Sequence, residues 1–459
     1  MAMHDQTNAG GNDNLDEKLF TELIEYASVQ PSQFSLFTRR IPRIPQKLGE
    51  TGYYDKYFVP KAVSIGPYHH GQLKLESVQR LKPFFTKELL SKHNVSVRSL
   101  YKKLGEPNMV KELKEFYEEP DTRLLSDHDF TTIMALDGCF ILYYILFIYR
   151  EKPENCRELR HHEIVLVHED LFLVENQIPF KVLTVIRELI KLDRHDKFES
   201  FFADDILALE RDLIPSDEYD HLFHLVYCNL TPTREVIKKR NPVLRKGTHR
   251  HIKTVETSSR RTFHSVNDLI NRGIHIRRSS SMQLDNVEFV ERCWWFSADL
   301  KLPPITVDRL LNLLAYELCS RDEHDAWVIS YVCLLNSLIH QREDVRALRD
   351  AGVLDNPQLG NESDKEVADI FTEIGMYLVP NNSAYSKVKK QVQSDYDEWN
   401  STYLTELVHD YLKSPWSLLA LLVGVIVLFL SGVQTYFTVW SPKSECDDLC
   451  KFLKMNHHL

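Results

Sequence analysis

A short segment near position 170 combines carboxylate and amide side chains with bulky apolar neighbours. The polar residues are Asp170, Glu175, Asn176 and Gln177, and Pro179 follows them. Two carboxylates beside two amides could act as a general acid and a general base on a polar substrate. The same groups could instead bond to one another and to backbone atoms that a proline leaves without an N–H donor. We favour the second arrangement, a hydrogen-bonded structural knot.

Another carboxylate, Asp137, precedes Gly138 and Cys139 where a dense apolar run begins. An unpaired charge in such surroundings costs several kcal/mol, so we expect Asp137 to pair with a buried Arg, a His or a backbone group. Apolar surroundings also raise the pKa of a thiol, which predicts that Cys139 is inert. The run Cys139–Tyr149 is too short to span a membrane and predicts a buried helix.

The common catalytic and cofactor motifs do not occur in the sequence. It contains no dinucleotide glycine fingerprint, no phosphate loop, no serine nucleophile elbow and no zinc-protease histidine pair. Eight Cys in 459 residues are too few for a disulfide scaffold. We therefore expect no catalytic residue of a known type, no cofactor, no metal ion and a non-enzymatic function. The enzymatic alternative is a hydrolase or transferase that uses Asp170 and Glu175 in an unfamiliar arrangement.

The longest uncharged stretch lies between Lys413 and Lys443, and its apolar part, Ser417–Val439, has 23 residues. As a helix this part is about 35 Å long, enough to cross a hydrocarbon core of about 30 Å. Trp416 and Trp440 stand at its ends, where amphipathic rings prefer the headgroup level. The sequence therefore predicts one transmembrane helix, with membrane lipid as its partner.

The sequence leaves the topology and the oligomeric state open. The segment Met1–Asn14 lacks the apolar core of a signal peptide, which favours a cytosolic N-terminal part. Lysines beyond the span and five glycosylation sequons favour the opposite side. We predict a single-pass membrane protein, with the plasma membrane as the expected location and a slight preference for a cytosolic N-terminal part. Gly424 lies seven residues before the small residue Ser431, a weak indication that two copies of the helix pair as a homo-oligomer.

The formal net charge of −10 is unevenly distributed along the chain. Residues 233–285 contain 13 Lys or Arg against four acidic residues, a net charge of +9. Such a stretch can contact acidic lipid headgroups, although basic segments with Ser and Thr are more often solvated. Ser279 and Ser280 follow Arg277 and Arg278 as in the sites of basophilic kinases, and phosphorylation would weaken a lipid contact. We predict a basic excursion there and no nucleic-acid partner.

The elements that position these residues are mostly helical. Ser126 with Asp129, and Ser363 with Glu366, predict capped helix starts. Strands are expected near Ala62–Ile65 and at two later places, 287–289 and 300–305. With 43% hydrophobic and 27% charged residues, the composition is that of a folded protein. We predict a mainly α fold with four parts: a polar N-terminal segment with a short helix (1–39), a helical domain with a few short β-strands (40–412), a transmembrane helix (416–440) and a short tail (441–459).

A series of motifs carries a resemblance to a known family. In order along the chain they are Val63–Gly71, Leu136–Leu142, Asp170–Phe180, Pro303–Ile305, Glu343–Val345, Glu366–Asp369 and Ser414–Trp416. The series closely resembles the plant domain-of-unknown-function family numbered 247 over residues 40–440. The resemblance implies a plant protein with one C-terminal membrane helix and no established catalytic mechanism. Some grass members of that family are implicated as pollen-side determinants of self-incompatibility.

These observations together favour a non-enzymatic, membrane-anchored protein that acts in recognition or signalling. The hypothesis depends on a large folded domain, a single span and the lack of a recognisable catalytic constellation. It requires a protein partner that the sequence does not identify. A pollen-side self-incompatibility determinant is the more specific alternative, and the resemblance carries no catalytic residue over to this sequence.

Overall fold

The computed structural model describes residues 41–50, 52–118, 122, 124–148, 158–192, 201, 219–232, 264–292, 297–319, 326–355, 361–381, 383–398, 415–440, 451 and 454–455. The predicted leading helix within residues 1–39 and most of the tail lie outside these ranges. The chain divides into two compact units, Met1–Lys389 and Lys390–Leu459. We refer to the first as the helical unit. The described residues are mostly helical with a few short strands, which confirms the predicted fold class.

The first part of the helical unit consists of helices joined by short connections. Their bounds are α1 Gln46–Gly49, α2 Tyr54–Tyr57, a 3-10 turn Leu73–Leu75, α3 Glu76–Gln79, α4 Lys82–Lys92, α5 Val97–Leu104, α6 Pro107–Lys114, α7 Asp127–Tyr143 with a π-helical extension Tyr144–Ile148, α8 His161–Asp170, α9 Phe180–Leu189 and α10 Leu222–Leu230.

The remaining elements combine short strands with further helices. They are α11 Val266–Asn271, β1 Ile274–Arg278, β2 Glu288–Arg292, β3 Ser297–Leu302, β4 Ile305–Thr306, α12 Val307–Cys319, α13 Trp327–Leu338, α14 Arg342–Asp350, β5 Leu354–Asp355, α15 Asn361–Gly375, α16 Ser386–Glu398 and α17 Pro415–Val439.

Helix α7 is the centre of the core and contacts α4, α5, α6 and α9. It begins as predicted, because the Ser126 side chain accepts a hydrogen bond from the Asp129 N–H at 3.1 Å. Gly138 allows close approach of α9, since a Cβ there would lie 2.5 Å from Ile186 Cδ1 and 2.9 Å from Val182 Cγ1. The helix is buried along most of its length, as the sequence predicted for its apolar end.

The larger sheet has three strands in the order β1-β3-β2, with β1 parallel and β2 antiparallel to β3. Ile274 and Ile276 point to the buried face, whereas His275 and Arg277 are exposed. Strands β2 and β3 lie close to the predicted positions. Strand β1 and helix α11 belong to the predicted basic excursion, so the prediction of a solvated segment is wrong for residues 264–285. Residues 233–263 lie outside the described ranges.

Two local predictions are wrong for identifiable reasons. Residues Ala62–Ile65 do not form a strand, because side chains rather than a neighbouring strand bind the N–H groups of Ala62, Val63 and Ile65. Ser363 does not cap a helix, because α15 already begins at Asn361. Glu366 instead pairs with Lys56, whose Nζ lies 2.7 Å from its carboxylate.

Helix α17, in the second unit, presents exposed apolar side chains along its length. Within the described part of the chain, two helices are long and apolar enough to cross a membrane. The first is Asp127–Ile148, and 78% of its most apolar stretch is buried. The second is Leu419–Val439, and none of its most apolar stretch is buried. The first is the core helix of the helical unit, so the second remains as the candidate span.

Candidate functional site

Asp170 binds an irregular segment, Lys61–Gly66, which we call the clamped segment. The Asp170 carboxylate accepts hydrogen bonds from the N–H groups of Lys61 (2.8 Å), Ala62 (2.7 Å) and Val63 (2.8 Å). The carboxylate lies at the end of α8 and is fully buried. A buried backbone N–H must find an acceptor, and here one side chain supplies what a neighbouring strand usually supplies.

Asn176 binds the next part of the clamped segment through both ends of its amide. Its Oδ1 accepts from the Ile65 N–H at 2.6 Å, and its Nδ2 donates to the Val63 carbonyl at 3.0 Å. The same nitrogen donates to the Asp170 carbonyl at 2.9 Å. Because the amide is completely buried, each of these bonds replaces one that water would otherwise make.

Asp137 and Lys82 form a buried ion pair beneath the same segment. The Lys82 ammonium also donates to the Ser64 carbonyl at 2.5 Å, and the second Asp137 oxygen accepts from the Gly66 N–H at 2.7 Å. Burial lowers the pKa of Lys82, while Asp137 opposes that change. The expectation that Asp137 is paired is confirmed for the backbone, but the side-chain partner is a lysine rather than Arg or His.

Gln177 connects this network to helix α10. Its Nε2 donates to the carbonyl groups of Leu171 (2.8 Å) and Leu173 (2.9 Å), and its Oε1 accepts from the Phe223 N–H at 3.0 Å. The Gln177 carbonyl accepts from the buried Tyr117 hydroxyl at 3.0 Å. Gly66 lies against that carbonyl with φ +76°, a position that leaves no room for a Cβ atom.

Glu175 fixes the start of the described chain to the same region. Its carboxylate accepts from the Ile44 N–H at 2.8 Å and the Tyr54 hydroxyl at 3.1 Å. It also lies 3.2 Å from His69 Nε2 and 3.4 Å from Arg43. Burial acts to raise the pKa of Glu175, but His69, the Ile44 N–H and Arg43 outweigh it, so the pKa is lowered.

We call the set Lys82, Asp137, Asp170, Glu175, Asn176 and Gln177 the polar knot. Four of them, Asp170, Glu175, Asn176 and Gln177, are the residues that the sequence predicted as a knot, and the structure adds Asp137, which the sequence singled out separately, and Lys82. Each of their carboxylates accepts at least one backbone N–H, so their common effect is to hold loops and helix ends in place. Burial raises the pKa of Asp170 to about 6, although the three N–H donors favour its charged form.

Sequence reasoning missed three buried members of this network: Lys82, Tyr117 and Asn312. Asn312 accepts from the Val174 N–H at 3.1 Å and donates to the Tyr57 carbonyl at 2.9 Å. The signal for Lys82 is weak, a single lysine close to Phe84 and Phe85 in an amphipathic stretch. Asn312 stands between two pairs of leucines, and a lone polar residue there gives no indication of its distant partners.

Cys139, which the sequence predicts to be inert, is buried in the core helix α7. Burial raises the pKa of the Cys139 thiol to about 12, although a hydrogen bond with Thr86 opposes that change, so this thiol stays protonated at neutral pH. Among the residues that the structure describes, no group of three or more His, Cys, Asp or Glu side chains is placed to hold a metal ion.

A cavity of about 170 Å³ lies beside the clamped segment. Lys56 and Lys61 at its wall are each paired with a glutamate, at 2.7 and 3.3 Å. Burial, together with the nearby Arg309, lowers the pKa of His168 to about 4, so this wall residue is neutral at pH 7. The volume is close to that of an engineered cavity that accommodates benzene, which limits any occupant to a small molecule.

The two candidate phosphorylation residues differ in exposure. Ser279 is 4% exposed and follows β1, whereas Ser280 is exposed. The residues of the predicted membrane anchor lie on or beside α17 in the second unit. Trp416 is 79% and Trp440 72% exposed, and a Cβ on Gly424 would have no atom within 4 Å.

Comparison with known proteins supports the resemblance seen in the motifs. A family profile described as a plant protein of unknown function, DUF247, matches residues 41–430. A UPF0481 protein of Arabidopsis thaliana is 26% identical over 411 residues, which cover 84% of this chain and 83% of that protein. A second UPF0481 protein of the same plant is 22% identical over 522 residues, covering 93% of this chain and 94% of that protein. No solved structure matches the chain. The chain therefore belongs to the plant DUF247 family.

Proposed function

We propose that this protein is a single-pass membrane protein whose helical unit serves recognition or signalling rather than catalysis. The observation that carries the proposal is the surface of α17. Its central residues Leu428 and Phe429 are 75% and 71% exposed, and no charged residue occurs along the helix. A surface patch of this kind is unfavourable in water and favourable in lipid.

The length and ends of α17 support insertion across a bilayer rather than adsorption onto it. The 21 residues Leu419–Val439 correspond to about 30 Å of helix, the thickness of a hydrocarbon core. Central Leu, Ile, Phe and Val residues each favour insertion by about 0.3–0.6 kcal/mol. Trp416 and Trp440 provide aromatic rings for both headgroup regions.

The polar knot supports a recognition role over a catalytic one. An enzyme that used Asp170 and Glu175 would need carboxylate oxygens directed at a substrate. Asp170 lines the cavity, yet both of its oxygens accept backbone N–H groups of the clamped segment. Glu175 is likewise bound by the backbone and by neighbouring side chains. These bonds give a rigid scaffold, which suits a surface that another protein recognises.

The partners follow from this proposal. Membrane lipid surrounds α17, and a protein partner binds the helical unit. Residues 233–285 contact acidic headgroups, since each Lys or Arg near an anionic surface contributes about 1 kcal/mol. Pairing of α17 helices into a homo-oligomer is compatible with this arrangement, and a pollen-side self-incompatibility determinant is its most specific form. The expected location is the plasma membrane, with the helical unit in the cytosol.

Alkaline carbonate extraction of membranes that contain the full-length protein tests the anchoring. We expect the protein to stay in the pellet, and we expect the double variant Leu421→Lys/Val425→Lys to move to the supernatant. The matched control is Leu124→Lys/Val165→Lys, which places the same charges at exposed positions of the helical unit. Extraction of the unmodified protein, or equal behaviour of the two double variants, would contradict the proposal.

A further inference from the structure

We propose that Ser280 is a phosphorylation site for a basophilic serine kinase, and that the phosphate controls the charge of the sheet edge formed by β1. We call this region the basic edge, defined by Arg277, Arg278 and Lys301. The inference goes beyond membrane anchoring and assigns a modification site within the helical unit.

The structure distinguishes the two adjacent serines. The Ser279 N–H donates to the Leu302 carbonyl at 2.8 Å and so continues the pairing of β1 with β3. The Ser279 hydroxyl accepts from the Ser281 N–H at 3.3 Å and from the Asn286 amide at 3.1 Å. With 4% of its surface exposed, Ser279 is closed to an enzyme. Ser280 is the first exposed hydroxyl after the strand.

The two arginines are placed for recognition of Ser280. They stand three and two residues before it, the positions at which basophilic kinases require positive charge. Both are exposed at the end of β1, which is an end strand of its sheet. The Arg277 side chain is 57% exposed, and its distance of 3.8 Å to Asp299 makes that pair weak. Asp299 is buried, but the 3.8 Å distance is longer than a hydrogen bond, so a kinase can bind Arg277 without breaking a hydrogen bond between the two.

The register of the sheet predicts what the phosphate does. Arg277 lies opposite Lys301 in the parallel pairing of β1 with β3, and each of the two has a distant acidic partner, Asp299 at 3.8 Å and Glu288 at 3.9 Å. A phosphoserine carries about −1.5 to −2 charges at pH 7 and accepts strong hydrogen bonds from arginine. At Ser280 it would give the arginines a stronger acidic partner than these long ion pairs provide and hold the end of β1 more firmly. It would also remove positive charge from a surface that could otherwise meet acidic lipid.

The reaction is an ordinary phosphoryl transfer from ATP. A bond forms between Ser280 Oγ and the γ-phosphorus, and the bond from that phosphorus to the bridging oxygen breaks. ADP leaves with the electron pair, and the serine proton passes to the base of the kinase. In the cell the step needs ATP, so this part rests on the cytosolic position of the helical unit in the proposed function.

Phosphorylation of the purified full-length protein in detergent tests the site itself. The catalytic subunit of cyclic-AMP-dependent kinase with Mg-ATP serves as the probe, and mass spectrometry locates the phosphate. We expect modification at Ser280, its loss in Ser280→Ala and no change in Ser281→Ala. We expect Arg277→Gln to lower the rate at least about tenfold, the effect of losing one charge-assisted hydrogen bond. Modification of Ser279 instead, or an unchanged rate in Ser280→Ala, would overturn the assignment.

Two further measurements test the consequence and the cellular setting. Hydrogen exchange at residues 274–279 should slow after phosphorylation, and unchanged exchange would overturn the effect on the basic edge. Protein isolated from plant membranes should carry phosphate at Ser280. If it carries none although the purified protein is modified, the cellular role of the site is wrong. Carbonate extraction tests membrane anchoring independently of phosphorylation, so a failure of the anchoring proposal can be told apart from a failure of the Ser280 proposal.

Discussion

Two helices of similar apolar character have opposite surroundings in this molecule. Asp127–Ile148 lies in the core of the helical unit, with 78% of its apolar window buried, whereas Leu419–Val439 in the second unit has no buried part. Length and composition alone would assign both to a membrane. The difference shows that the deciding feature is what the protein itself provides to cover the apolar surface.

The core helix carries features that only a protein neighbour can satisfy. The Asp137 carboxylate is paired with the Lys82 ammonium group and accepts the Gly66 N–H. Gly138 has no side chain and so leaves room for the side chains of α9. The candidate span α17 has no charge to pair, and a Cβ on Gly424 would have no neighbour within 4 Å. Buried polar partners therefore distinguish the core helix, and uniform exposure with aromatic ends distinguishes the candidate span.

The largest expected effect comes from removing the partner of Asp137. Lys82→Met leaves the buried carboxylate with the Gly66 N–H alone. This change should lower the free energy of unfolding by about 3–5 kcal/mol. Urea denaturation of the helical unit, followed by circular dichroism, measures it.

The control for that variant is Lys87→Met, which lies on the exposed face of the same helix. Substitutions at exposed positions usually change stability by no more than about 0.5 kcal/mol. Equal effects of the two variants would show that the buried pair does not stabilise the core helix.

If α17 is the proposed anchor, a charge at its centre should act on membrane insertion and not on folding. Leu428→Lys is expected to cost about 3 kcal/mol of insertion free energy. Microsomal insertion, read by glycosylation of engineered flanking sites, measures that cost. Urea unfolding of the helical unit should stay unchanged, and Leu428→Ile should insert like the original. A loss of stability of the helical unit would mean that Leu428 packs against protein.

The two glycines provide a matched pair of substitutions. Gly138→Ala places a methyl group against Ile186 and Val182. Because both contacts would be shorter than 3.0 Å, overpacking should cost about 3 kcal/mol, more than the gain of about 1 kcal/mol from the better helix propensity of alanine. Gly424→Ala meets no neighbour and should leave unfolding unchanged. Urea denaturation compares both variants, and a neutral Gly138→Ala would show that α7 and α9 can separate without cost.

The smallest expected effect concerns the start of the core helix. Ser126→Ala removes the side-chain acceptor of the Asp129 N–H. The loss of this cap should cost about 1 kcal/mol. Ser126→Asp keeps an acceptor at the cap and should restore most of the stability, as judged by the midpoint of thermal unfolding. If both variants lose the same amount, the cap is not the source of the effect.

Local patterns were sufficient for some of these features. The cap at Ser126, the burial of the following helix and the apolar character of α17 depend on residues that are close in sequence. The strand predicted at Ala62–Ile65 was wrong because the partner of its backbone, Asp170, lies 108 residues away from Ala62. A local pattern carries no information about such a partner.

Long-range pairing and net charge account for the other failures. Lys82 meets Asp137 across 55 residues, and a lysine in an amphipathic stretch ordinarily points to solvent. Strand β1 was not predicted, because the basic residues around it indicated a solvated segment. Ile274 and Ile276 nevertheless alternate with exposed residues, as a half-buried strand requires. The sequence identified most of the knot residues. The backbone N–H groups that their carboxylates accept could be assigned only from the fold, because the donors are distant in sequence.

The environment of Leu428 tests the central distinction between core and anchor most directly. A nitroxide at Leu428 of the vesicle-reconstituted protein should be relaxed more by oxygen than by a polar nickel complex, because oxygen concentrates in lipid. A nitroxide at Leu142 in the core helix should be shielded from both reagents and immobilised. Greater relaxation of the Leu428 label by the nickel complex, or immobilisation like that at Leu142, would contradict the assignment of α17 to the membrane.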